Sequence, residues 1–141
     1  MEFLDREDEL SILSEHLNRP GASFLVLYGR RRIGKTELLR RVLADRTRAA
    51  YHVGTRSTAV EELGRLSTTL DRSWDAPLLA AQPLTSSEAL MAFLRGLRGP
   101  HVLVLDEFPY LAESDPALPG LLQAAWDQSL GGSELKLVVC G

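Results

Sequence analysis

A short segment near the N-terminus has the residue types and the spacing that hold a polyphosphate. The string Gly29-Arg30-Arg31-Arg32-Ile33-Gly34-Lys35-Thr36 fits the pattern G-x-x-x-x-G-K-[ST]. Its glycines allow successive backbone N–H groups to point inward, and a helix that begins near Lys35 adds its positive dipole end. We expect the Lys35 ammonium on the β- and γ-phosphates, the Thr36 hydroxyl on Mg²⁺, and nucleotide contacts from Gly29 to Glu37.

Two adjacent acids follow an apolar run later in the chain. Val102-Leu103-Val104-Leu105 leads into Asp106-Glu107. We expect Asp106 to hold Mg²⁺ directly or through water, as the acid after an apolar strand does in P-loop ATPases. Since adjacent strand residues point to opposite sides, Glu107 is expected to reach the water that attacks the γ-phosphate. The alternative is a strand that ends in solvated charges, and the phosphate loop earlier in the chain argues against it.

The three arginines inside the loop, Arg30 to Arg32, have two interpretations. They form a solvated basic surface, or one of them reaches a phosphate, a carboxylate of a neighbouring subunit, or nucleic acid. The net charge of −3 gives the whole chain no general attraction to nucleic acid.

Hydrophobic patterning places these residues on alternating strands and helices. Apolar runs predict strands at residues 24–28, 51–53, 102–105 and 135–139. Helical spacing predicts helices at 6–18, 36–44, 59–70, from the capping box at 85–88 to the Gly-Pro at 99–100, and around 122–130. Residues 71–84 contain two prolines and are predicted to be a loop. The alternation indicates an α/β fold of three layers, in which helices cover both faces of a mostly parallel sheet.

Composition limits the other functions. A single cysteine, Cys140, excludes an internal disulfide, and the three histidines show no ligand spacing, so any metal is expected to be a hard cation held by oxygen. No apolar run reaches the roughly 18 residues of a membrane span, and the N-terminus does not have a signal-peptide pattern, so we expect a cytoplasmic protein that does not contact the membrane. The 141 residues fit one domain, 1–141, which we expect to be a piece of a longer protein.

The remaining residues with functional potential are expected to be structural. His52, His101 and Cys140 are interpreted as core or strand-end residues. Phe93 and Trp126 lie at the helical spacing of a core. For Trp74 the alternatives are an exposed contact and a buried residue, and we favour burial.

Four segments together resemble the archaeal-type ATPase family, in the STAND group of AAA+-related P-loop ATPases. They are residues 3–10, 28–36, 105–108 and 135–141, which cover both motifs and both ends of the chain. The resemblance implies an AAA+-like sheet in which strand 135–139 lies between the two motif strands. It also implies that Phe3, Leu4 and Arg6 line the adenine pocket, the alternative for this segment being helix capping and core packing.

The resemblance also implies parts that lie outside these 141 residues. We expect this sequence to lack the polar sensor residue beyond Cys140-Gly141, the lid helices, a recognisable arginine finger, and the C-terminal winged-helix and nuclease-like regions of longer relatives. We therefore expect nucleotide binding to depend less than turnover on the parts outside this sequence.

Two functions of different classes follow from these residues. The first is an ATPase that binds ATP and Mg²⁺ and uses hydrolysis to drive a conformational switch. The second is a nucleotide-gated signalling or scaffold domain that binds ATP or ADP with negligible turnover. Self-association or a protein partner, and nucleic-acid binding through regions outside this chain, are further expectations.

Overall fold

In the described part of the chain, four parallel strands form one sheet, in which the fourth strand lies between the first and the third and the second lies outside the third. The computed structural model describes residues 6–27, 35–44 and 46–141, and for residues 6–10, 35, 36 and 38 it describes the backbone. The strands are β1 Ser23–Leu27, β2 Ala49–Val53, β3 His101–Asp106 and β4 Leu135–Cys140. Every residue of β3 and β4 is buried, as expected for apolar strands covered by helices on both sides. The predicted α/β fold is confirmed, with β4 between the two strands that carry the motifs.

Seven α-helices are described in the parts of the chain that the structure covers. They are α1 Arg6–Asn18, α2 Lys35–Leu43, α3 Ala59–Trp74, α4 Pro77–Ala81, α5 Ser87–Arg95, α6 Phe108–Ser114 and α7 Leu118–Gln128. A 3₁₀ turn, Leu130–Gly132, leads into β4. No helix among the described residues has the length and apolar character to cross a membrane.

Side chains of the sheet alternate between two faces, and each face has its own core. Val104 packs with Leu13 and Leu39, which belong to α1 and α2. Leu105 points the other way, into the larger core formed with α3 to α7. Because side chains alternate along a strand, Asp106 projects from the same face as Val104. The last residue of β3 is therefore directed to the side of the sheet where α2 lies.

The predicted loop at 71–84 is wrong, because most of it is helical. Helix α3 continues to Trp74, which is 4% exposed and donates its indole N–H to the carbonyl of Val102 at 3.2 Å. Trp74 thus lies in the core as the last residue of α3, beyond the predicted end of the helix. The prediction that Trp74 is buried is confirmed. Pro77 then opens α4, since a proline in the first helical turn loses no helical hydrogen bond.

Other boundaries differ by smaller amounts. Helix α5 is capped by Ser86, which accepts the N–H of Ala89, whereas the predicted capping box began at Thr85. The helix ends at Arg95, before the predicted Gly-Pro stop, and Gly96 closes it. Helix α6 was not predicted. The predictions that His52, His101 and Cys140 are core or strand-end residues are confirmed, since all three are buried in strands, and Phe93 and Trp126 pack partly buried against the larger core.

Candidate functional site

The phosphate-loop motif joins a strand to a helix, as the sequence predicts. β1 ends at Leu27 and α2 begins at Lys35. Glu37 is described, and it is exposed in the first turn of α2. The predicted contacts that lie outside the described residues or side chains are those of Phe3, Leu4, Arg6, Gly29, Arg30, Arg31, Arg32, Ile33, Gly34, Lys35 and Thr36.

The acid pair lies at the same edge of the sheet as this strand–helix connection. Leu27 pairs with Cys140, and Val139 pairs with Leu105, so β1 and β3 end at nearly the same level. Only β4 separates them, and neighbouring strands lie about 4.8 Å apart, so the two strand tips are about 10 Å apart. In parallel α/β sheets this carboxyl edge is where ligands bind.

Asp106 is a buried carboxylate held by its neighbours. It is 2% exposed. Its Oδ1 accepts the backbone N–H of Glu107 at 2.8 Å, and its Oδ2 accepts the hydroxyl of Tyr51 from the neighbouring strand β2. These contacts fix the carboxylate at the tip of β3 on the α2 side. Sequence reasoning missed Tyr51, whose position in the short strand 51–53 was the only signal.

Glu107 does not continue the strand, so the prediction of its side-chain direction from strand alternation is wrong. β3 ends at Asp106, and Glu107 adopts the left-handed conformation with φ 53° and ψ 42° at the start of α6. A non-glycine residue pays about 1–3 kcal/mol for such a backbone, and strain of this kind concentrates at functional sites. The turn is held because the carbonyl of Glu107 accepts the N–H of Tyr110 at 3.0 Å. The direction of Glu107 is therefore set by this turn.

A glycine allows the loop after β2 to touch the acid pair. The N–H of Gly54 donates to the carbonyl of Asp106 at 2.8 Å. A Cβ at Gly54 would lie 2.7 Å from the carbonyl oxygen of Glu107 and 3.0 Å from Leu111 Cγ. Any side chain at this position would push the Glu107 backbone or α6 away, so the close packing requires glycine.

A second buried acid, Glu62 of α3, lies behind this loop. Its Oε1 accepts the N–H of Thr55 at 2.7 Å and the hydroxyls of Thr55 and Ser57 at 3.0 Å. Arg65 Nη2 lies 2.7 Å from the same oxygen, and His52 Nε2 lies 3.0 Å from Oε2. Glu62 was not predicted, although it shares one helical face with Leu66 and Leu70 and is a charged residue on an apolar stripe.

The pKa values define the protonation of this pair. Burial lowers the pKa of His52 below its usual 6.5, although Glu62 opposes the shift. Burial raises the pKa of Glu62, but hydrogen bonds from Thr55, His52 and Ser57 outweigh burial and bring it below its usual 4.5. At neutral pH the pair is therefore a neutral imidazole beside a carboxylate. Because a carboxylate only accepts, His52 carries its proton on Nε2 and donates it to Glu62.

Asp106 is a described residue of this edge that could hold a cation. Within residues 6–27, 35–44 and 46–141, no three His, Cys, Asp or Glu side chains cluster as a metal site. A buried carboxylate at a strand tip supplies the hard oxygen that Mg²⁺ prefers, and Mg²⁺ usually takes one or two carboxylates and completes its shell with phosphates and water. The donor set thus fits a cation that arrives with a nucleotide.

An apolar cavity of about 260 Å³ lies beside the free edge of the described sheet. Its walls come from β1, β4, α6 and α7, and they include Phe24, Phe108 and Val139. None of the described residues that line it is charged. Phe24 and Val139 belong to the larger core, on the face opposite the Asp106 carboxylate. A cavity with this lining does not suit a triphosphate, so the acid pair and the motif connection remain the candidate site.

One protein family and one known protein resemble this chain over almost its whole length, and a second protein resembles part of it. The sequence profile of a family described as "ATPase domain predominantly from Archaea" matches residues 3–141. An uncharacterized protein of Methanocaldococcus jannaschii is 30% identical over 139 residues, which are 99% of this chain and 29% of that protein. An uncharacterized ATP-binding protein of the same organism is 41% identical over 44 residues, which are 31% of this chain and 75% of that protein.

A solved structure has the same fold. A Walker-type ATPase of Pyrococcus abyssi matches with a TM-score of 0.63 and 24% identity, over 99% of this chain and 45% of that one. The chain thus spans less than half the length of this structure, and 29% of the first relative.

Proposed function

We propose that this chain, which belongs to the family of ATPase domains found predominantly in Archaea, binds ATP with Mg²⁺ at the carboxyl edge of its sheet and hydrolyses it. One observation carries the proposal. Asp106 is a buried carboxylate and Glu107 a strained turn residue, and both lie at the edge where β1 leads into the motif and α2. The ATP-binding name of one relative supports the choice of nucleotide.

Phosphate binding is assigned to the segment from Gly29 to Glu37. Backbone N–H groups of the loop and the N-terminal end of α2 attract the phosphates. Lys35 supplies a compact positive charge for the β- and γ-phosphates, and Thr36 supplies a hydroxyl for the cation. α2 begins at Lys35, which supports this assignment because both residues then belong to the first helical turn.

Asp106 and Glu107 are assigned different tasks. Asp106, together with Thr36, would hold Mg²⁺, which neutralises developing phosphate charge when bound. The hydroxyl of Tyr51 and the N–H of Glu107 orient the Asp106 carboxylate for this task. Glu107 orients the attacking water and accepts its proton, and the turn at the start of α6 sets its direction.

A second candidate is a nucleotide-gated switch with negligible turnover. The lengths of the relatives favour it, since most of the first relative and over half of the solved structure lie outside the matched region. The nucleotide state of this domain would then be read by those other parts. The adenine contacts of Phe3, Leu4 and Arg6, nucleic-acid binding near Arg30 to Arg32, self-association and a cytoplasmic location stay predictions.

Binding and phosphate release measured on the same samples test the proposal. Labelled ATP and ADP with Mg²⁺ should bind wild type, and Lys35→Ala should weaken binding about 10- to 100-fold because the phosphates lose a direct charge. Glu107→Gln should keep binding and slow hydrolysis about 10²- to 10⁴-fold, as expected for loss of a general base.

Two control variants match these substitutions. Arg41→Ala removes an exposed charge from α2, and Glu113→Gln changes an exposed acid of α6. Both should resemble wild type. Equal turnover in wild type and Glu107→Gln would rule out the hydrolytic mechanism, whereas Lys35-dependent binding without phosphate release would favour the switch.

A further inference from the structure

Glu62 is a buried acid that the proposed reaction does not use. It is 3% exposed and accepts hydrogen bonds from the backbone of Thr55 and from the hydroxyls of Thr55 and Ser57. Its other oxygen contacts His52 in β2. Glu62 therefore ties three consecutive parts of the chain together, namely the end of β2, the loop at 55–57 and the first turn of α3.

Gly54 links this loop to the acid pair. Gly54 precedes Thr55 and donates its N–H to the carbonyl of Asp106 at 2.8 Å. It packs so closely on the carbonyl of Glu107 that a Cβ would lie 2.7 Å from that oxygen. The position of Gly54 is thus fixed on one side by the partners of Glu62 and on the other by the backbone of Glu107.

We propose that Glu62 is a positioning residue for Glu107, and that it acts through the loop formed by Gly54 to Ser57. The inference rests on the proposed function, because Glu107 is the residue positioned. Glu62 does not contact substrate in this arrangement. It holds the loop, and the loop holds the left-handed turn that directs the Glu107 carboxylate.

The need for such support follows from the backbone of Glu107. A left-handed glutamate persists only where its surroundings fix it. If Thr55 and Ser57 lose their acceptor, Gly54 is released from α3 and the turn at Glu107 relaxes toward ordinary conformations. A displacement of about 1 Å at a reacting group costs about 100-fold in rate, while phosphate binding by the loop before α2 does not depend on this contact.

A double-mutant cycle separates this role from general loss of structure. Hydrolysis under single-turnover conditions and ATP binding are measured for wild type, Glu62→Ala, Glu107→Gln and the double variant. Glu62→Ala should bind ATP like wild type and hydrolyse it about 10- to 100-fold more slowly. In the Glu107→Gln background the same substitution should change the rate less than about twofold, because the residue it positions is already disabled.

Two variants of the same helix turn complete the set. Glu62→Gln should recover most of the rate, since its amide oxygen still accepts from Thr55 and Ser57. Glu61→Ala removes the exposed neighbouring acid and should be without effect. Equal slowing by Glu62→Ala in both backgrounds would overturn the proposal, and so would a normal rate in Glu62→Ala while Glu107→Gln is slow. If Glu107→Gln itself hydrolyses like wild type, the proposed function has failed instead.

Amide hydrogen exchange tests the positioning without turnover. Glu62→Ala should speed exchange of the Gly54 and Glu107 amides and leave that of Leu103, inside the sheet, unchanged. Unchanged exchange at Gly54 and Glu107 would contradict the proposal. If Glu62→Ala does not fold, Gly54→Ala addresses the same contact, because the added methyl group displaces the Glu107 carbonyl. It should slow hydrolysis and retain ATP binding, and a normal rate would overturn the inference.

Discussion

Two carboxylates at the carboxyl edge of the sheet have opposite surroundings. Asp106 is held by Tyr51 on the face where α2 lies, and Glu62 is held by His52 on the face where α3 lies. Tyr51 and His52 are neighbours in β2, so one strand supports an acid on each face. Glu62 is enclosed by donors from its own helix and the adjoining loop, whereas Asp106 ends a core strand at the edge where the phosphate motif lies.

Burial alone does not determine whether a carboxylate of this protein holds a loop or a cation. Both side chains are almost fully buried, at 2% and 3% exposure. Buried carboxylates remain ionised only when donors or cations compensate them. Protein donors compensate Glu62, which suits it to hold a loop. Asp106 lies at the carboxyl edge where β1 and β3 end, so its compensation is proposed to include a cation that comes and goes with the nucleotide.

Of the two buried carboxylates, Asp106 is expected to give the larger effect when it is replaced, as Asp106→Asn. Neutralising this side chain should lower Mg²⁺-dependent hydrolysis about 10²- to 10³-fold, as the loss of a preorganised charge at a reaction centre does. Hydrolysis rates measured across a Mg²⁺ titration test this, with Asp127→Asn on the exposed face of α7 as the control. If Asp106→Asn hydrolysed ATP at the wild-type rate and with the wild-type Mg²⁺ dependence, Asp106 would not be a cation ligand and its task would not differ from that of Glu62.

Local patterns were sufficient for the strands and most helices. The strands are mostly apolar, with His52 in β2 and Lys136 in β4 as interruptions, and each predicted run lies within an observed strand over its described residues. The order of the strands came from the family resemblance, since no local pattern states which strands pair. Local patterns do not predict α4, because Pro77 and Pro83 indicate a loop, although a proline in the first turn is compatible with a helix.

The support of the site could not be predicted in the same way. Glu62 meets His52 and Thr55 only because α3 packs against the end of β2, a contact that depends on the tertiary fold. The left-handed turn at Glu107 is also invisible in the sequence, because glutamate does not signal such a conformation. Motif spacing therefore identified the acids proposed to do chemistry but not the residues that hold them.

The next largest effect is expected on the free energy of unfolding, when Glu62 on the α3 face is replaced. Glu62→Ala should lower the free energy of unfolding by about 3 kcal/mol, because it leaves the buried donors of His52 and Thr55 without their acceptor. Glu61→Ala, which removes an exposed acid one residue earlier, should change it by less than about 0.5 kcal/mol. Urea unfolding of both variants provides the values. Similar stabilities would show that Glu62 does not organise this region.

Lowering the pH should reduce the stability of the fold through the buried groups on the α3 face. The pKa of His52 is lowered by burial, so below its usual 6.5 the unfolded chain takes up a proton that the folded chain does not. Stability is therefore complete above about pH 6.5 and falls as the pH decreases, by at most about 1.4 kcal/mol per pH unit. Burial lowers the pKa of His101 as well, which gives the same sign. The lowered pKa of Glu62 adds a further loss below about pH 4.5.

Urea unfolding between about pH 7 and pH 5.5 tests this dependence. His52→Gln retains an N–H donor for Glu62 but does not titrate, so its stability should fall less steeply than that of wild type. His101→Gln identifies the share of the other buried histidine. An unchanged slope in His52→Gln would show that the imidazole beside Glu62 and Arg65 does not contribute.

The smallest effect is expected on the α2 face, from Tyr51→Phe. The substitution removes the hydroxyl that donates to Asp106 and keeps the ring that packs with the smaller core. Since one hydrogen bond to a charged group is lost while Glu107 still donates to the same carboxylate, stability should fall by about 1 kcal/mol. If Asp106 binds Mg²⁺, this variant should also need more Mg²⁺ for half-maximal hydrolysis, because the carboxylate is less firmly oriented. Loss of stability without a changed Mg²⁺ requirement would mean that Tyr51 stabilises the edge of the sheet and does not orient a cation ligand.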